Sequence, residues 1–224
     1  MTAILGSEML SSLLYVVAQS LILPVVAALL IFMAYTIIQV GGILSEYSSR
    51  IQTDVDEIEG IINGISNQGT PEGIKEVVEK SSLPKSHRAI LGKIAANSSI
   101  GEKSREAFAR KLIEAEQINA AKRIEKTDVI AKIGPAIGLM GTLIPLGPGL
   151  SALGSGDITA LSQNLVVAFD AAIVGLASAA VAFTISRIRR RWYEDQLSTL
   201  DTLAESTLEA LQNAEKKTKI NGGQ

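Results

Sequence analysis

The chain of 224 residues contains no cysteine and a single histidine, His87. Thiol chemistry, most zinc sites and histidine relays are thereby excluded, so no cofactor or metal and no enzymatic activity is expected. His87 lies in a hydrophilic stretch and reads as a solvated surface residue. Basic residues are missing locally: every Lys and Arg lies after position 49, and 133–186 contains none. With a net charge of −2, and basic residues either grouped beside apolar stretches or alternating with acids, nothing supports nucleic-acid binding.

What fills the gaps is apolar sequence. Apolar residues make up 47% of the chain and the mean hydropathy is positive, a composition that points to a membrane protein. A helix needs roughly 20 mostly apolar residues to cross the hydrocarbon core, and 10–45 exceeds that without one charge. This predicts an outer N-terminus over 1–12 and a first span over 13–44. A cleaved signal peptide is the competing reading, but the segment has no basic n-region and is too long for an h-region. The second charge gap is too long for one crossing and is broken by "LGSGDIT" (153–159). Its Gly, Ser and Asp favour a turn, and Asp157 or Thr159 can cap a new helix. Two further spans follow, 133–153 and 158–188. Lipid offers open backbone no hydrogen-bond partner, so the expected fold class is all-α, a polytopic membrane protein with three transmembrane helices.

Arg50, Lys122, Arg123, Lys126 and Lys132 flank the inner ends of the first two spans, and Arg187, Arg189, Arg190 and Arg191 end the third. The positive-inside bias then puts the N-terminus outside and the C-terminus in the cytoplasm of a cytoplasmic-membrane protein. The basic cluster and Trp192 read as membrane-edge anchors, with Trp192 equally suited to ordinary helix packing.

The stretch 45–132 reads as a cytoplasmic helical region, joined by a C-terminal helix and tail over 189–224. Ile51, Val55, Ile58, Ile62 and Ile65 share one stripe at helical spacing. Thr70 and Pro71 start a second helix, and Pro84 lies near the start of a third. From Glu102 no Gly or Pro intervenes before Gly134, so one helix is expected to run into the second span. The third span likewise continues into a stripe of Leu197, Leu200, Ala204, Leu208 and Leu211, beyond which "EKKTKINGGQ" is expected to fray.

Within the spans, "GPAIGLMGTLIPLGPG" lacks the G-K-[ST] of a phosphate loop. Its glycines read as helix-packing positions: Gly134, Gly138 and Gly141, with Gly175 on the third span. Pro145 and Pro148 each remove an intrahelical hydrogen bond. A kink is expected, with the Gly141 and Ile144 carbonyls short of donors, serving either to close the hairpin or to coordinate an ion. The one charged residue deep in an apolar run is Asp170, which at 1.5 Å per residue sits roughly 20 Å from the outer turn and 25 Å from Arg187. An ionised Asp there costs about 2.5–3.5 kcal/mol, so it should face a polar interior or be protonated. A proton or cation path fits, as does a hydrogen-bonded bridge to Thr142 or Ser178.

The order of these pieces resembles the MotA/TolQ/ExbB proton channel family. "IGLMGTLIPLGPGLSAL" (137–153) is similar to the family's G-L-[LM]-G-T segment, which brings Thr142 onto its polar Thr. "LVVAFDAAIVGLASAAVAFTISRIRRRWYE" is similar to the family's third span, and the ExbB-like branch, in its archaeal versions, is nearer than the four-span flagellar branch. Two positions depart: Ala172 stands where relatives commonly carry Thr, and Val167 where ExbB and TolQ forms carry Glu. The resemblance implies a ring, typically of five copies, around two copies of an ExbD/TolR/MotB-like single-span partner. Asp170, Thr142 and Ala172 would lie along the ion path of this motor. A non-conducting membrane scaffold is the alternative; a transporter working alone is disfavoured by three spans without an inverted repeat.

Overall fold

The computed structural model describes residues 2–49, 54–68, 70–98 and 100–221, without the side chains of 2–7, 49 and 218–221. Among the described residues there are seven helices and no strand: α1 (Thr2–Ser20), α2 (Ile22–Ser49), α3 (Val55–Ser66), α4 (Pro71–Lys80), α5 (Lys85–Ala96), α6 (Glu102–Gly154) and α7 (Ile158–Asn221). Three apolar stretches are long enough to cross a membrane, within Glu8–Ser48, Glu102–Gly154 and Ile158–Lys217. The chain is an all-α protein with three membrane-spanning helices.

It divides into two compact units, one of Met1–Tyr47 with Ile124–Ile188, the other of Ser48–Arg123 with Arg189–Gln224. In the first, the membrane unit, the break between α1 and α2 has a local cause. Pro24 cannot donate to the Ser20 carbonyl, and the chain turns at Leu21, whose N–H is shared between Val17 (3.3 Å) and Ala18 (3.2 Å) carbonyls. α6 and α7 form an antiparallel hairpin. Its turn has Gly156 at φ 81°, a conformation glycine adopts without steric penalty, and Asp157 accepts from the Ala160 N–H (3.0 Å) to cap α7.

The second unit is built around Ile65, Ile74, Val78, Leu83, Leu91, Ile94, Leu200 and Leu203, all buried. α4 begins at Pro71, with Thr70 accepting from the Gly73 N–H at 3.3 Å. The stripe on α3 differs from the sequence expectation. Val55, the first residue of α3, is 74% exposed, while Ile58 and Ile62 pack against the core and Ile61 and Ile65 are buried in it. Ile51, and Arg50 among the basic flanks, lie outside the described residues. The tail expected to fray is helical to Asn221, with 222–224 outside the described residues.

His87 corrects a second expectation: it is 3% exposed on the inner face of α5, beside Ile90, Leu91 and Ile94. Burial holds its imidazole below the ordinary histidine range, partly offset by the Glu116 carboxylate, and Nδ1 has no hydrogen-bond partner among the described residues. The sequence reading failed because the local hydrophilicity belongs to the outer face of an amphipathic helix.

Candidate functional site in the membrane hairpin

The hairpin is held together by the absence of side chains. A methyl added at Gly138 would come 3.2 Å from the Cα of Gly175, and one at Gly175 would come 2.7 Å from the Cα of Gly138 and 2.9 Å from the Gly134 carbonyl oxygen. Such spacing lets two backbones touch, which in lipid substitutes dispersion contact for the missing hydrophobic drive. Gly134 packs against Ala179 in the same seam. A methyl at Gly141 would meet Ala171 at 2.6 Å and Leu29 and Val25 of α2 at 3.4 Å, so Gly141 and Ala171 mark the side of the hairpin on which α2 lies. Val25, Leu29, Ile144 and Ala171 form the buried cluster there.

Positions follow at about 100° per residue. Thr142 and Ala172 each come one residue after the α2-facing pair Gly141 and Ala171. Each is turned across the α6–α7 seam to the flank away from α2, and both are half-buried. The Thr142 hydroxyl donates to the Leu139 carbonyl at 2.7 Å. Asp170 precedes Ala171 and turns the opposite way, about 140° round α7 from Gly175. It is exposed, and no hydrogen bond or ion pair reaches it among the described residues. The bridge considered from sequence is not made within the chain, since Ser178 donates instead to the Met33 sulfur at 3.8 Å. The structure thus brings Thr142 and Ala172 to one flank and leaves Asp170 on another.

The prolines have distinct surroundings. Pro145 is buried and Pro148 half-buried within α6, which also contains Pro135. The carbonyl that Pro148 cannot satisfy, that of Ile144, receives a long hydrogen bond (3.4 Å) from the side-chain amide of Gln19 on α1. Sequence reasoning passed over Gln19, although an amide alone in a long uncharged run was a signal. It also passed over the Ser186 hydroxyl, which donates to the Asp128 carboxylate and ties α7 to α6 near one end of the hairpin.

Among the basic residues, the Arg187 guanidinium stacks 5.2 Å from the Phe183 ring centre, and Arg190 and Arg191 are exposed. Arg189 is only 6% exposed, so its side chain is turned into protein; Trp192 is half-buried. Among the described residues no three carboxylate or imidazole groups gather as a metal site would require.

The model of the MotA/TolQ/ExbB proton channel family matches residues 72–202, more than half of the chain, covering all of α6 and α7 as far as residue 202. No curated protein matches the chain.

Proposed function

The chain belongs to the MotA/TolQ/ExbB proton channel family, and on that premise we propose that it is the ring-forming subunit of a membrane motor driven by an ion-motive force. In this reading about five copies surround two single-span partner helices, the N-terminus is outside, and the ion is a proton. Thr142 and Ala172 line the flank that faces the partner, and Asp170 supplies the carboxylate whose protonation governs how copies engage. The observation that carries the reading is Asp170 itself, an exposed carboxylate in the middle of an apolar span that no hydrogen bond or ion pair reaches among the described residues.

The energies are commensurate. One charge moved through 100 mV gains about 2.3 kcal/mol, close to the 2.5–3.5 kcal/mol cost of an ionised Asp at the membrane centre. The motive force and the cost of burying the charge are therefore of the same order.

Asp170→Asn keeps the size and removes the titration. In vesicles carrying the complex with its single-span partner, proton flux is expected to fall to background while particle size stays unchanged. Flux equal to the parent's with an intact ring would refute the proposal and favour the non-conducting scaffold.

A further inference from the structure

The second unit carries two grooves of opposite charge. One, of about 690 Å³, runs between α6 and α7. Its floor is apolar: Ala109 and Ile113 from α6, Ala204 and Leu208 from α7, each pair one turn apart. Its rims are acidic, with Glu106 and Glu114 on α6 and Asp201, Glu205 and Glu209 at every fourth residue of α7, all exposed. Arg110 is the one cation among its described lining residues. No hydrogen bond or ion pair reaches the carboxylates of Asp201, Glu205 or Glu209 among the described residues.

The other groove, of about 460 Å³, lies between α4 and α5 and is basic: Lys75, Lys85, Arg88 and Lys93, against the single acid Glu79. Its α5 wall is built of Ala89, Gly92 and Ala96, and a methyl added at Gly92 would meet nothing within 4 Å. Glycine weakens a helix interior relative to alanine, and the chain's own packing makes no use of the space. α5 packs on the core through Leu91 and Ile94, so the wall of small residues is turned outward, with cations beside it.

We infer that this outer face of α5 seats in the α6–α7 groove of the next copy of the chain, small residues over the apolar floor and cations between the acidic rims. It rests on the ring reading above and adds a contact made by the second unit, apart from any made by the spans. Two different faces of one protomer then meet, the head-to-tail arrangement that closes into rings.

Charge and depth together select this occupant. An acidic groove repels an anionic lipid surface. Its own α5 cannot enter it, because that helix is held on the core by its inner face and its body, roughly 10 Å across, stands between. Copies turned about one axis keep each residue's depth, so with α6 and α7 running along that axis only surfaces at equal depth can meet. α5 runs antiparallel beside α6: the Ser98 carbonyl accepts from Arg105, and His87 lies by the Glu116 carboxylate. The face of α5 therefore shares the depth of α6 residues from roughly 107 to 118, which is the span of the groove. Across the groove Gln212 donates to Glu106 at 3.5 Å. On that register Lys85 comes level with Asp201, Ala89 with Glu205 and Ala96 with Gln212. Lys93 comes level with Glu209 on one rim and with Arg110 on the other, so Arg110 opposes the contact and the carboxylates outnumber it.

The natural absence of cysteine makes the test direct. A disulfide needs Cα atoms within about 7 Å, which the body of α5 prevents within one chain. The full chain carrying A96C and Q212C together, oxidised in its native membrane with the single-span partner present, is expected to give a ladder from dimer upward on non-reducing gels. A89C with E205C should repeat it. Added to the first pair, Lys85→Glu should slow the ladder several-fold, Asp201→Lys in the same chain should restore it, and Arg110→Gln should hasten it. No ladder from either pair, in a particle that keeps its ring outline in electron micrographs, overturns the inference alone and leaves the groove to a soluble partner or to solvent. A ladder unmoved by all three charge changes overturns it as well, since these charges would not then set the contact. A particle that is monomeric in micrographs and uncross-linked overturns the ring reading with it.

Discussion

Replacing Gly175 by Ala adds one methyl at the tightest point of the hairpin. The new carbon would lie 2.7 Å from the Gly138 Cα and 2.9 Å from the Gly134 oxygen, both backbone atoms that cannot rotate away. Carbon pairs rest at about 3.5–4.0 Å, so α6 and α7 must part by roughly 1 Å along the seam. Overpacking of this kind costs about 1–3 kcal/mol. Alanine also gains up to about 1 kcal/mol in helix propensity over glycine, and this offset has to be removed. Gly41→Ala supplies the control, because a methyl there meets nothing within 4 Å on α2 and gains the propensity alone. The difference between the two variants isolates the packing cost. At roughly 2–4 °C per kcal/mol for a chain of this size, the detergent-purified Gly175→Ala particle is expected to melt several degrees below Gly41→Ala, followed as the fraction surviving heating on size exclusion. Equal melting temperatures would show that the seam yields freely and would refute the reasoning.

Protonation of His87 should weaken the second unit on acidification. Its folded imidazole titrates below the unfolded value of about 6.5, so stability is full above that pH and is lost as pH falls below it; the protection of α5 against hydrogen exchange, relative to the intrinsic rate at each pH, should fall on acidification below about pH 6.5 in the parent and not in His87→Leu. Arg105 is fully buried, donating to the Ser98 carbonyl (3.0 Å) and to the Glu215 carboxylate, which is partly exposed. Glu215→Ala strands that charge and should cost about 1.5–3 kcal/mol, read as earlier proteolysis of the end of α7; Glu215→Asp restoring resistance would be consistent, and unchanged resistance in Glu215→Ala would count against the pairing. Gln19→Leu leaves the Ile144 carbonyl unpaired beside Pro148 and should lower stability by about 1 kcal/mol, a loss that Gln19→Asn does not fully recover because the shorter amide falls short of the carbonyl. Thermal melts of the three proteins check it.

The spans were legible because lipid imposes a rule that needs no partner: a charge-free run of sufficient length must be a helix across the membrane, and the gaps between basic residues locate three such runs. The same holds for local devices, whose causes lie within a few residues. Thr70 and Pro71 at the start of α4 and the turn closed by Gly156 and Asp157 are of this kind. The glycines at 134, 138 and 175 announced the close approach of α6 and α7.

What only the tertiary structure decided is direction. Sequence spacing fixes that Asp170, Ala171 and Ala172 point three ways around α7, yet which way meets α6, which meets α2 and which meets neither depends on where the other helices lie. His87 was misread for the same reason: hydrophilic neighbours say that a helix has a wet face, whereas burial depends on the side its imidazole takes. Gln19 and Ile144 stand 125 residues apart, and a proline's freed carbonyl can find an amide at that separation only once the fold has brought α1 against α6. Periodicity is local and is written in the chain; azimuth is set by contact between distant segments, and no single segment contains it.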